Sequence, residues 1–105
     1  MWIGHNKGWL SIVEHRDKPQ HLLVRAREKG AILTLWPEAD LYEDMDADYP
    51  YRADILREEV ADGLCNVTLN IDYDNFKGSV TDKKLGHAYD RVWNIMWTYG
   101  LEYRE

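Results

Sequence analysis

The sequence predicts an α+β fold: an antiparallel sheet made from two hairpins, with helices packed on one face, in the order ββαββαα. Two observations carry this. Four short stretches alternate apolar and polar residues with period two, and they fall in pairs around turn-forming residues. Three others repeat apolar residues every three or four positions, the period of a helix that buries one side. No internal repeat and no linker rich in glycine, serine or proline interrupts the 105 residues, so a single α+β domain spanning 1–105 is expected.

The first pair is WLSIVEH (residues 9–15) and HLLVRAR (21–27), joined by RDKPQ, whose proline and polar residues suit a hairpin loop. Alternation sends Leu10 and Ile12, and Leu22, Val24 and Ala26, to the core face. EKGAILTLWP follows, with Ile32, Leu35 and Trp36 at helical spacing until Pro37 stops the run. Gly30 costs this short helix about 1 kcal/mol against alanine, so packing must hold it. ADLYE and YPYRADIL then alternate as a second hairpin, with EDMDAD as its connection.

REEVADGLCNVTL (57–69) places Val60, Ala61, Leu64, Cys65 and Val67 on a helical stripe, and Glu58 and Glu59 favour the positive end of its dipole. Gly63 weakens the middle of that helix. Cys65 reads as a small core residue, because GLCNV offers neither a CxxC spacing nor an adjacent cation to activate a thiol. IDYDNF breaks the pattern as a loop or a single helical turn. The last element is the clearest: Asp82 as N-cap, then Leu85, Ala88, Tyr89, Val92, Met96 and Tyr99 in steps of three and four until Gly100. It is expected to anchor the fold.

Charge is distributed unevenly. Between Glu38 and Asp62 ten acids face two bases, a balance of −8 in a chain whose net charge is −6. The remaining eighty residues carry +2, which is no basic stripe for displacing counterions from phosphates and argues against direct nucleic-acid binding. The richest run is EDMDADYPY (43–51), which admits three readings: a hydrated turn, a metal loop, or a surface offered to a basic partner. Asp44, Asp46 and Asp48 have the D-x-D-x-D spacing that opens a calcium loop, but Tyr49 and Ile55 stand where that loop needs its glycine and its bidentate glutamate. The metal reading fails there; the other two stay open.

Catalytic patterns are missing. Ser11 and Ser79 have no nucleophile elbow, no glycine-rich loop joins a strand to a helix, and His15 and His21 lack the company a zinc site requires. No cofactor is expected. With no basic, apolar leader and no apolar run long enough to span a bilayer, a cytoplasmic protein without membrane contact is expected.

The stretches SIVEHRDKPQHLLVRAREKG and IDYDNFKGSV…AYDRVWNIMW resemble, over most of the chain, a family of short proteins found in bacteria and their phages and prophages. That family has no known catalytic motif, so no functional residue is carried over. In similar sequences an acid follows the glycine of GAILTLWP, where this chain has Ala31. What the resemblance implies is context: small acidic phage-associated proteins without catalytic residues are often inhibitors of host defence, anti-CRISPR proteins among them, that occupy the nucleic-acid-binding surface of their target.

The resulting expectation is a non-enzymatic binding protein, a nucleic-acid mimic. Glu43, Asp44, Asp46, Asp48, Glu58 and Glu59 would meet a basic surface on a larger protein, with Tyr49 and Tyr51 as apolar anchors. A CRISPR effector complex is the sharpest candidate partner. The competing expectation is a phage or bacterial assembly module that forms a homodimer through the aromatic C-terminal helix, using Trp93 and Trp97.

Overall fold

The computed structural model describes residues 1–104, which divide into two compact units, 1–72 and a second unit beginning at Tyr73. The fold is α+β. In the first unit, β1 (Trp2–His5), β2 (Gly8–Glu14), β3 (His21–Ala26), β4 (Tyr42–Glu43) and β5 (Tyr51–Leu56) form one antiparallel sheet in the order β1-β2-β3-β5-β4. Two helices complete it, α1 (Lys29–Leu33) against β2 and β3, and α2 (Arg57–Leu69) against β5 and β3. The second unit holds the short α3 (Phe76–Ser79) and the long α4 (Lys83–Leu101).

Both hairpins form. Leu10 pairs with Ala26 and Ile12 with Val24, and across the next seam Val24 meets Ala53 while Leu22 meets Ile55. Because side chains alternate across a strand, this register puts all of these residues on one face, where Ala31, Ile32, Leu35, Trp36 and Val60 of the helices close over them. Each large aliphatic residue so buried contributes about 1.5–3 kcal/mol.

The sheet has a strand more than the alternation predicts. β1 precedes the first hairpin and joins β2 through the two-residue loop Asn6-Lys7, with His5 opposite Gly8. His5 holds that corner. Its Nε2 donates to the Ala31 carbonyl at 2.8 Å, and its Nδ1 accepts the Lys7 amide at 3.1 Å, so the ring is fixed as one neutral tautomer. Burial pulls its pKa below 6.5, opposed only in part by the bond to Ala31. The unfolded chain therefore binds the extra proton first as pH falls. The stability that neutral His5 provides is complete above pH 6.5 and is lost from there down towards its depressed folded value. Denaturation at pH 7 and at pH 5 should show this as a loss of up to about 1.4 kcal/mol per pH unit that His5→Gln does not share.

Two further differences concern the helices. α2 turns Val60 into the core with Leu64 and Val67 beside it, and this leaves Ala61 and Cys65 exposed, one residue to the side of the stripe. Cys65 is thus a surface thiol and not a core residue. α4 begins at the expected cap, Asp82 accepting the Leu85 amide at 3.0 Å. It does not anchor a core along its length, for only Tyr89 of its apolar stripe is buried. Of the two readings of IDYDNF the loop holds up to Asn75, which caps α3, and the helix begins at the segment's last residue, Phe76.

Candidate interaction surfaces

The hairpin of β4 and β5 presents the acidic run in an ordered turn. Asp44 donates its amide to the Pro50 carbonyl at 2.8 Å, and its carboxylate accepts the Asp46 amide at 3.2 Å. Four of the eight residues expected to contact a partner are engaged within the molecule. Asp48 takes Arg27 through both oxygens at 3.3 Å, and Glu43 lies 3.5 Å from Lys29. Tyr49 is buried, with the Arg27 and Arg25 guanidinium groups over its ring at 4.3 and 5.0 Å, while Lys29 stands over half-buried Tyr51 at 5.6 Å. Asp44 and Asp46 at the turn, and Glu58 and Glu59 on α2, are exposed and make no ion pair among the described residues.

Unpaired carboxylates also border a cleft elsewhere in the same unit. A cleft of about 470 Å³ runs between residues 35–40 and α2, with Leu35, Trp36, Pro37 and Ile55 as its apolar lining. Five carboxylates border it, Glu38, Asp40, Asp54, Glu59 and Asp62, and no lysine, arginine or histidine does. Local structure explains the arrangement. The α1 segment must stop at Pro37, which lacks an amide proton, and the turn closed by the Ala39 amide on the Trp36 carbonyl sets Glu38 and Asp40 on the rim. Trp36 then crosses to α2, where its indole N–H donates to the Glu59 carbonyl at 2.8 Å. Gly63, one turn further on, gives the ring its space: a Cβ there would stand 2.2 Å from the indole nitrogen.

Asp54, at one edge of this cleft, gathers a second cluster. Oδ1 accepts from the Tyr42 hydroxyl at 2.8 Å and lies 3.1 Å from His15 Nε2, and Oδ2 accepts from Lys18 Nζ at 2.9 Å. Burial alone would raise the pKa of Asp54, but hydrogen bonds from Lys18 and Tyr42 and the charges of His15 and Lys18 outweigh it and hold the carboxyl below its usual value. Tyr42 is pushed up to about 12, by burial first and then by its bond to Asp54. An Asp-His pair invites comparison with a catalytic dyad, yet the Nδ1 of His15 already accepts the Asp17 and Lys18 amides at 3.1 Å each. The ring has no free nitrogen with which to take a proton from a substrate, and the cluster works as a clamp between the β2–β3 loop and β5.

In the second unit, Trp93 and Trp97 lie one turn apart on α4 with parallel rings, 5.8 Å between centroids and 1° between planes. Lys77 lies over the Trp93 ring at 4.4 Å, and Arg104 over the Trp97 ring at 4.7 Å. The two tryptophans named for self-association are therefore in one place, stacked on each other with a cation over each ring, and both stay about half exposed.

Among the described residues no group of three or more histidine, cysteine, aspartate or glutamate side chains is arranged to hold a metal ion, and no helix is long and apolar enough to cross a membrane. Comparison with protein-family models, with curated proteins and with solved structures found no match. The sequence reading counted Glu38, Asp40 and Asp62 among the acids without assigning them to a site. The signal that could have found them is Trp36-Pro37 followed by two acids, opposite a helix with Glu59, Asp62 and Gly63 at spacings of three and four.

Proposed function

We propose that this chain is a non-enzymatic binding protein that receives a basic segment of a larger protein in the cleft between residues 35–40 and α2. One observation carries the reading: four carboxylates without an ion pair among the described residues, Glu38, Asp40, Glu59 and Asp62, border a cleft with an apolar lining, while the fifth, Asp54, is paired with Lys18 and His15. Lysine and arginine side chains combine an apolar stem with a charged head, and such a cleft offers both a surface for the stem and several acceptors for the head. Glu38, Asp40, Glu59 and Asp62 provide the charge. Glu58, Asp44 and Asp46 add to the field that steers a basic partner to it. The proteins that grip nucleic acid through basic surfaces form the natural class of target, and the phage-family resemblance makes a CRISPR-type defence complex the sharpest candidate within it.

Titration with a short arginine- and lysine-rich peptide tests the cleft directly. Affinity should fall at least about tenfold between low and high salt, as screening of exposed charge requires. Glu38→Lys combined with Asp62→Lys should abolish binding, while Asp44→Lys with Asp46→Lys should weaken it only a few-fold. Binding unaffected by the first pair rejects the cleft, and binding lost with the second pair returns the site to the hairpin turn. If the protein leaves target-DNA binding by a purified RNA-guided effector unchanged, that candidate partner is discarded.

A further inference from the structure

We propose that the exposed seam of α4, formed by Val92, Ile95, Met96 and Tyr99, is covered by the same face of a second copy of this chain. Within α4, Leu85, Tyr89, Val92, Met96 and Tyr99 follow one another at steps of four, three, four and three. That is a period of 3.5, the spacing that keeps a seam turned towards a partner helix. In its own unit the helix is covered only near its start, where the Phe76 ring packs on buried Tyr89 at 5.3 Å. Beyond that point Val92, Ile95, Met96 and Tyr99 are 37%, 68%, 54% and 49% exposed.

The segment VWNIMWTYGL, residues 92–101, contains no charged residue. A helix surface that stays in water normally carries charge on its outer side, and its absence over nearly three turns marks a buried surface. The exposed parts of the seam, with Tyr103, amount to something on the order of 600 Å², against the ~800 Å² that each side of a standard interface contributes. Nothing lies within 4 Å of the Cβ position of Gly100, so a second backbone can approach closely there.

A second copy is the occupant that these features select. It brings the same 3.5-residue seam and the same uncharged stretch, and in a two-fold pairing each surface is its own complement. A partner chosen by charge would find no charge between Val92 and Leu101 to read. The stack of Lys77, Trp93, Trp97 and Arg104 flanks the seam and leaves it to the aliphatic residues and Tyr99 to make the contact.

Sedimentation velocity of the purified chain over a range reaching about 100 μM should show a species of twice the 12.4 kDa chain mass that dissociates on dilution. Ile95→Glu and Met96→Glu should each give a monomer with the same circular dichroism, since both side chains are more than half exposed in one copy. Met96→Cys in a Cys65→Ser background should cross-link to a covalent dimer on mild oxidation. A chain that stays monomeric throughout this range overturns the proposal and leaves the seam to a foreign helix. A dimer that persists in both glutamate variants, with Met96→Cys failing to cross-link, also overturns it.

Discussion

Trp36→Ala is expected to lower the stability of the protein by about 4 kcal/mol, read as a shift in the denaturant midpoint. The indole is 7% exposed, belongs to the core cluster and ties its N–H to the Glu59 carbonyl, so its removal opens a large cavity and leaves a helix carbonyl without its partner. Gly63 provides the companion measurement. Helix propensity alone says that Gly63→Ala should stabilise α2 by about 1 kcal/mol. The packing says the opposite: the new methyl would meet three indole atoms at 2.2–2.9 Å, and overpacking of that kind costs about 1–3 kcal/mol. The expected result is a net loss of about 1 kcal/mol in the native protein and a gain of about 1 kcal/mol in the Trp36→Ala background. If the sign is the same in both backgrounds, the indole is not what excludes a side chain at Gly63.

The second large effect belongs to Gly8. An alanine there would place its Cβ 2.3 Å from the Ala31 Cβ and 2.8 Å from the Ala31 Cα, and since one of these atoms is backbone, α1 itself would have to move. A cost of about 3 kcal/mol is expected, at the upper end for a single inserted methyl. Ala31→Gly should restore only the share that comes from the Ala31 Cβ, because the Ala31 Cα at 2.8 Å and the strain of a side chain at the Gly8 φ of +159° remain, and a glycine costs the helix ~1 kcal/mol of its own. Failure of that rescue would mean that Gly8 is needed for some reason other than its approach to α1. The same contact keeps residue 31 small. It is 1% exposed against β2, a place with no room for a larger side chain unless the neighbouring strand changes with it.

Much of the fold was legible because period and punctuation agreed. Leu10, Ile12, Val24, Ala26, Ala53 and Ile55 alternate as half-buried strands must, and Asp82 starts a helix by accepting an amide, whereas the helix expected to run to Pro37 ends already at Leu33. β1 escaped notice because its four residues, WIGH, include a glycine and a histidine, and its evidence is the short loop to β2 more than any alternation of its own. Cys65 and Ala61 were placed on the wrong side of α2 because a window of three- and four-residue steps is wider than the stripe that Val60, Leu64 and Val67 bury. Gly8 and Gly63 looked like weaknesses or said nothing at all. Each is a point where two distant segments come too close for a side chain, and nothing within their own segments records that.

The site divides in the same way. Composition located the acidic region between Glu38 and Asp62 but not which carboxylates would be free. Whether Asp48 is available depends on Arg27 from β3's far end, and whether Glu43 is depends on Lys29 from α1. Those cations are fourteen or more residues away in the chain, and only the hairpin register brings them across.

The borders of the sheet differ in a way that bears on misassembly. On one side the outermost strand, β4, is two residues long and runs directly into Asp44 and Asp46, so a foreign strand would find few backbone groups to pair with and like charge close by. On the other, β1 offers four residues and a tryptophan that is 70% exposed. Fibril growth by edge-to-edge templating, if the chain is ever partly unfolded, thus has one permissive rim and one guarded rim, and the guard is the acidic turn itself.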